Sequence, residues 1–324
     1  MKKVGIIGGA GYTGGEAIRV LVNHPDVELA FVQSASNAGN LLSDVHTDLL
    51  GDSGMRFSAE AGDADVLIIC AGHGDARKWM EANKVSAGTK IVDLSQDFRL
   101  AATSKLGGRQ FIYGLPEMNR DRIRTADSIA NPGCFATCLQ LGMLPLAANG
   151  LLAGDVHISA TTGSTGAGQK PAASTHFSWR ANNLSTYKAF DHQHLDEIGE
   201  SILGLQPSFG GGILFIPNRG AFTRGIFASI YTESDLTADQ ATELYREYYR
   251  NAAFSFVSDR PIDLKQVVNT NKCILQVEKH GDKLLVTSII DNLLKGASGQ
   301  AVQNMNLMLG LDEKAGLKLK ATAF

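Results

Sequence analysis

Apolar residues in the first third of the chain come in short continuous runs, without a polar residue at every second position. Residues 3–8 (Lys-Val-Gly-Ile-Ile-Gly), 27–33, 65–71 (Asp-Val-Leu-Ile-Ile-Cys-Ala) and 90–94 (Lys-Ile-Val-Asp-Leu) read as strands buried on both faces. Residues 15–23 and 73–85 read as helices between them. Strands of this kind alternating with helices predict an α/β fold with a doubly wound parallel sheet. A further short strand, 127–130, leads into an apolar helix at about 135–148. The pattern then changes. Strands at 151–161, 213–216 and 223–231, and a hairpin of 272–279 with 283–291 across His280-Gly281-Asp282, surround a helix at 237–251. That arrangement predicts an α+β domain of antiparallel strands with a helical layer. A final helix, 301–309, is expected to return to the first domain. The expected division is therefore residues 1–133 with 299–324, and residues 134–298 for catalysis and self-association.

Composition narrows the class. Of the 324 residues, 44% are hydrophobic and 19% charged, enough apolar material for about two globular domains. The net charge is −3 and there is no basic run, which argues against nucleic-acid and membrane partners. The chain enters its first strand without a signal peptide and has no apolar stretch long enough to span a bilayer, so a cytoplasmic location with reduced thiols is expected. Its four cysteines, Cys70, Cys134, Cys138 and Cys273, form no paired framework.

Candidate chemistry begins at the first strand. Gly8-Gly9-Ala10-Gly11-Tyr12-Thr13-Gly14 follows a strand, opens a helix and is followed by a second strand about twenty residues on, the context of a Rossmann-type dinucleotide turn. Glycine there permits the tight turn, the approach to the pyrophosphate and close helix packing. At the end of the second strand, Gln33-Ser34-Ala35-Ser36-Asn37 has no carboxylate for a ribose, and the hydroxyls of Ser34 and Ser36 suit a 2′-phosphate, so NADP(H) is the expected cofactor. No Lys or Arg lies between Arg19 and Arg56, so a cation at that phosphate must come from elsewhere. The later strand ends, Gly72-His73-Gly74 and Ser95-Gln96-Asp97-Phe98-Arg99, should open onto the same crevice.

Asn131-Pro132-Gly133-Cys134 turns sharply from strand to helix and leaves a thiol in the first helical turn. Free N–H groups and the positive dipole end there lower a thiol's pKa and can hold an oxyanion. Thr162-Gly163-Ser164-Thr165-Gly166-Ala167-Gly168-Gln169-Lys170 offers amides, hydroxyls and one lysine to an anion but lacks the spacing of a nucleoside-triphosphate loop. In Asp191-His192-Gln193-His194-Leu195-Asp196-Glu197, His194 and Glu197 share a helix face, so the carboxylate can orient the imidazole as acid/base partner to the thiol. No recognised ligand set completes around the two histidines, so no metal is expected. Arg99, Lys170 and Arg224 are candidates for binding phosphate or carboxylate.

With these residues in view, the chain resembles the N-acetyl-γ-glutamyl-phosphate reductases, NADPH enzymes of arginine biosynthesis within the aspartate-semialdehyde and glyceraldehyde-phosphate dehydrogenase group. The resemblance runs through the 8–16 turn, Asp93-Leu94-Ser95-Gln96-Asp97-Phe98-Arg99, Tyr113-Gly114-Leu115-Pro116-Glu117, and residues 131–136, 163–170, 192–198, 223–225 and 292–306. It implies Cys134 as nucleophile, with His194 as acid/base and Glu197 beside it. It also implies a glyceraldehyde-phosphate-dehydrogenase-like (GAPDH-like) second domain and a homo-oligomer, a tetramer. Cofactor contacts would come from Gly8, Gly11, Tyr12, Thr13, Gly14, Ser34, Ser36, Ser95 and Gly166. A C-terminal group of Asn292, Gln300 and Asn304 would lie toward the nicotinamide. An acyl phosphate and inorganic phosphate would be met by Arg99, Ser164, Lys170, His192 and Arg224. Two stretches depart from the family pattern: Ala35 stands where a basic residue is common, and the loop Phe215-Ile216-Pro217-Asn218-Arg219-Gly220-Ala221-Phe222 is unlike the usual Pro-His-Leu-type stretch. Three alternatives stay open: a reductase of aspartyl or aminoadipyl phosphate, a cysteine hydrolase, and a non-catalytic dinucleotide sensor.

Overall fold

The computed structural model describes residues 1–323; the expected first domain ran to residue 324, which lies outside the described residues. Two compact units result, residues 1–133 with 297–318, and residues 134–296 joined by the tail from Leu319 onward.

In the first unit the chain runs β1 (Lys2–Ile7), α1 (Tyr12–Leu21), β2 (Val27–Gln33), a short α2 (Leu42–Val45), β3 (Val66–Ile69), α3 (Asp75–Ala82) and β4 (Lys90–Asp93). A small hairpin, β5 (Lys105–Leu106) with β6 (Arg109–Gln110), precedes β7 (Ile112–Tyr113), α4 (Pro116–Thr125) and β8 (Ser128–Ala130). The six-stranded sheet has the order β2-β1-β3-β4-β8-β7, with every pair parallel. One row across it, Val32, Ile6, Ile68, Val92 and Ile129, is fully buried. Each such side chain contributes roughly 1.5–3 kcal/mol on leaving water, which explains why these strands read as continuous apolar runs. Strand order reverses beside β1, so the ends of β1 and β3 form the crevice where such sheets bind ligands.

The helices differ from expectation for local reasons. α1 starts at Tyr12, three residues early, because Gly14 and Gly15 are tolerated inside it where other elements press close. α3 is shorter than 73–85; the Asp97 carboxylate accepts the amides of Gly74 and Arg77 and caps it there. α4 has no apolar stripe to betray it, and begins with Pro116, whose fixed φ suits a first helical turn.

The second unit contains α5 (Cys134–Ala148), β9 (Val156–Thr162), α6 (Phe177–Arg180), β10 (Ser185–Thr186), α7 (His194–Leu205), β11 (Ile213–Arg219) and β12 (Ile226–Glu233). It continues with α8 (Ala238–Tyr249), β13 (Ser255–Ser258), β14 (Cys273–His280) and β15 (Lys283–Ile290). Residues 135–147 of α5 are all buried, and the helix lies along β12, β14 and β15 with α7 against it. Pro145 has no amide to give the Leu141 carbonyl, and the Tyr249 hydroxyl donates to that carbonyl in its place. Tyr245 likewise donates to Gly142 O, at 2.5 Å.

The seven-stranded sheet has the order β10-β11-β9-β12-β15-β14-β13. It is mixed, where antiparallel strands were expected: β9 with β11 and β13 with β14 run parallel. The first of these pairs follows from α7, which lies between β9 and β11 in the chain and supplies the crossover that parallel neighbours need. The strand expected from 223 begins at Ile226, because Gly225 turns the backbone with φ +114°. After β15 a π-helical turn, Leu294–Ser298, runs into α9 (Gly299–Leu309), which belongs to the first unit and packs on α1, α4 and β4.

Candidate active site

In the first unit the glycine turn closes on itself tightly. Gly8 has φ +74°, and a Cβ on Gly14 would stand 2.5 Å from the Gly9 carbonyl oxygen. Gly11, at the N-cap of α1, faces open space, with nothing within 4 Å of an added Cβ. The positive end of α1 is thus left open beside Gly11, as the approach of a pyrophosphate requires. His46 Nε2 bonds to Gly9 O at 2.8 Å and braces the turn. Tyr12 is exposed, and the Thr13 carbonyl accepts from the Ser298 hydroxyl at 2.7 Å.

Past β2, Asn37 Nδ2 donates to Ser34 Oγ (3.3 Å) and Ser36 Oγ (3.1 Å); one hydroxyl hydrogen bridges the two serines at 3.5 Å, which leaves the other for an acceptor. The basic residue that follows this stretch in the chain, Arg56, is brought back to the 39–41 loop. It is held near by a β-bridge to Leu41 and donates to Gly39 O at 2.8 Å.

Other expected contacts are placed inside the unit. Ser95 is buried; its hydroxyl donates to Asp93 Oδ2 at 2.7 Å and accepts from the Asp97 amide at 3.0 Å. Burial pushes the Asp93 carboxyl up to about 7, against the opposing pull of Ser95 and the Arg99 charge. Arg99 is buried and donates to the carbonyls of Asn131 and Leu94, both at 2.9 Å, so it buttresses the segment before the thiol. Asn304 donates to Gly114 O (2.8 Å) and Asn131 Oδ1 (3.0 Å), and Gln300 is fully buried.

In the second unit Cys134 opens α5 and is partly exposed, with Gly296 packed so closely that a Cβ there would stand 2.9 Å from the Cys134 Cβ. The other thiols are poor nucleophiles. Burial pushes Cys70 up to about 12 and Cys138 well above its ordinary value, and Cys273 is buried.

Phe135, the residue after the thiol, gathers the histidines. Its ring meets His192 edge-on at 5.4 Å, Phe215 at 5.0 Å and His194 at 6.4 Å. His194 opens α7, buried, with Nε2 3.9 Å from Glu197 Oε1, within ion-pair range but beyond a direct hydrogen bond. The His194 amide donates to His192 Nδ1 at 3.2 Å, which assigns the neutral ring's proton to Nε2. Burial, then the charges of Lys188 and Arg219, pull His192 down to about 4. His192 is therefore neutral at physiological pH and unsuited to donating a proton from a charged form.

The remaining expected contacts fall elsewhere. Arg224 makes a two-pronged ion pair with buried Asp291, at 3.0 and 3.1 Å. Asn292 accepts from the Gly225 amide at 2.7 Å and donates to Thr165 Oγ1 at 3.0 Å. In the glycine-rich loop the amides of Ser164, Thr165, Gly166 and Gly168 already donate to carbonyls, which corrects the expectation of a backbone anion cradle there. Gly166 and Lys170 are exposed. Sequence reasoning missed Tyr187 and Arg219; the Arg219 guanidinium stacks over the Tyr187 ring at 4.5 Å, and no local spacing announces such a pair. Among the described residues no group of three His, Cys, Asp or Glu gathers as a metal would need, and no helix is long and apolar enough to cross a membrane.

Comparison with known proteins places this geometry. The family model for the NAD-binding domain of semialdehyde dehydrogenases matches residues 3–126, and that for their dimerisation domain matches residues 134–292. A crystal structure of aspartate semialdehyde dehydrogenase II from Vibrio cholerae superposes with a TM-score of 0.73, over 96% of this chain and 99% of that one, at 17% identity. The Candida albicans aspartate semialdehyde dehydrogenase with NADP gives 0.68, over 95% and 98%, at 15% identity. The class is thus a two-domain semialdehyde dehydrogenase, an oxidoreductase that uses a nicotinamide dinucleotide. Full-length relatives narrow it further. N-acetyl-γ-glutamyl-phosphate reductases of Bacteroides thetaiotaomicron and Christiangramia forsetii are 57% and 55% identical, each covering 100% of both chains. The chain belongs to the N-acetyl-γ-glutamyl-phosphate reductase family.

Proposed function

We propose that this enzyme reduces N-acetyl-γ-glutamyl phosphate to N-acetylglutamate 5-semialdehyde and phosphate, with NADPH as reductant, as a step of arginine biosynthesis. The observation that carries this reading is a partly exposed thiol at the start of α5 whose neighbour Phe135 packs against His192 and His194. The turn from Gly8 to Gly14, with Tyr12 and Thr13, would hold the pyrophosphate, and Ser34, Ser36 and Arg56 the 2′-phosphate. When bound, the dinucleotide supplies the hydride that reduces the acyl carbon.

Cys134 begins the reaction. The α5 N-terminus favours its thiolate, which forms a C–S bond to the acyl carbon as the C–O bond to phosphate breaks. Amides of the same helical turn stabilise negative charge on the acyl oxygen. When the aldehyde leaves, the C–S bond breaks and the thiolate returns. His194 moves the proton at the substrate oxygen and leaving phosphate, oriented by Glu197. Neutral His192 holds its ring by accepting the His194 amide and offers Nε2–H to the substrate. The second unit, matched by a model described as a dimerisation domain, carries self-association into a homo-oligomer, which we take as a tetramer in the cytoplasm.

Oxidation of N-acetylglutamate semialdehyde with NADP and inorganic phosphate tests the reading. It should exceed oxidation of aspartate or aminoadipate semialdehyde by about a hundredfold or more in kcat/KM. A better rate with either of the others overturns the substrate, and equal rates with NAD overturn the cofactor.

A further inference from the structure

β11 alternates in the strand manner. Phe215 and Pro217 are buried on one face, Ile216 is exposed on the other, and Arg219 ends the strand on the Phe215 side. Phe215 touches Phe135 and His192, so this face packs on the residue that follows the thiol, and the Cys134 and Arg219 charges both act on Tyr187. Arg219 is paired in register with Thr162, the last residue of parallel β9, which places the two side chains on the same face of neighbouring strands. Tyr187 lies beneath the guanidinium, and its own amide donates to Pro217 O on β11. The Arg219 charge is also among the causes that hold His192 neutral.

Hydrogen-bond satisfaction sets Arg219 apart. Arg99 donates to the carbonyls of Leu94 and Asn131, Arg180 to those of Ser174, Asn183 and Arg219 and to Ser185 Oγ, and Arg224 pairs with Asp291. Arg219 Nε is buried with no hydrogen-bond partner, as is Thr162 Oγ1 beside it. Among the described residues no carboxylate forms an ion pair with Arg219. Buried donors are nearly always satisfied, and stacking on Tyr187 leaves the in-plane Nε–H unspent. A planar fork beside a hydroxyl suits a planar or tetrahedral oxyanion.

We propose that Arg219 and Thr162 form an oxyanion subsite of the thiol pocket, which receives the substrate's carboxylate or its phosphoryl group. The assignment rests on the acyl-phosphate reading above. In the oxidative direction semialdehyde and inorganic phosphate are separate substrates, so their KM values distinguish the two anions. Arg219→Gln should raise one of them about tenfold or more, leave the other within about twofold, and change kcat by no more than about threefold. A rise for phosphate assigns the phosphoryl group, and a rise for the semialdehyde assigns the carboxylate. Arg219→Lys should fall between, and Thr162→Val should raise the same KM by less, which keeps the test open if the glutamine variant does not fold. Unchanged KM values, or a loss confined to kcat, overturn the subsite.

A second readout needs no natural substrate. Iodoacetate and iodoacetamide alkylate Cys134 at rates whose ratio reports a nearby cation. Arg219→Gln should lower the iodoacetate-to-iodoacetamide ratio about fivefold. An unchanged ratio overturns the subsite even if N-acetylglutamate semialdehyde proves not to be the substrate, and a lowered one supports it independently of that reading.

Discussion

Gly14 in the first unit and Arg219 in the second would serve ligands in opposite ways. At Gly14 what matters is a missing side chain: an added Cβ would press on Gly9, and the phosphates are to be met by the main chain. At Arg219 everything lies in the side chain and in what surrounds it, Tyr187 just past the end of β10 and Thr162 at the end of β9. A site made of backbone needs only a short spacing of glycines after a strand. One made of side chains needs the sheet register to gather residues from separate segments. The first kind tolerates change outside its turn, and the second is exposed to any change in packing.

The strongest challenge to this contrast is Cys134→Ser. It should cut turnover by about a thousandfold or more while leaving the NADPH dissociation constant within about threefold, because the oxygen nucleophile is less acidic and less polarizable. Retained turnover would remove the thiol from the chemistry, and lost dinucleotide affinity would show that the two units do not divide their labour as described.

The histidines sharpen the second unit further. His194→Asn is expected to lose roughly a hundredfold to ten-thousandfold in kcat. Glu197→Gln should lose only about tenfold, since it orients a ring and does not carry the proton. His192→Asn should fall below His194→Asn, because His192 is already neutral at working pH. If steady-state comparison ranks His192→Asn as the most damaging, the two roles are exchanged.

In the first unit, Ser34→Asp should shift the ratio of NADPH to NADH efficiency toward NADH by about tenfold, a carboxylate repelling the 2′-phosphate and accepting from ribose hydroxyls. Absence of any shift would mean that the hydroxyls gathered by Asn37 do not read the phosphate.

The smallest expected effect is on stability. Burial raises the Asp93 carboxyl from 3.8 to about 7, so between these values the folded chain holds a proton that the unfolded chain has lost. Stability therefore declines as pH rises through that window. Asp93→Asn cannot ionise and should escape the decline. Its melting temperature relative to the parent should improve by a few degrees at about pH 8 compared with about pH 5. An equal difference at both pH values would show that Asp93 does not titrate there.

The parallel sheet, the glycine turn and the helix that follows Cys134 were legible in the chain because each is specified by neighbours: a run of apolar residues, a glycine spacing, a Pro-Gly turn. Helix ends were less so. Asp97 caps α3 from another segment, and α4 hides among polar residues. The mixed pairing of β9 with β11 depends on which side of a strand the chain returns to, which local pattern does not encode. The cations show the limit most clearly. Arg99, Arg224 and Arg219 look alike in sequence, yet Arg224 meets Asp291 67 residues away and Arg99 meets the carbonyl of Asn131, 32 residues on. A buried charge must find a partner or keep room for one, and that partner is chosen by tertiary packing. The sequence alone therefore determined which chemical groups the protein has, and the fold decided which of them are spent on holding it together and which remain for a ligand.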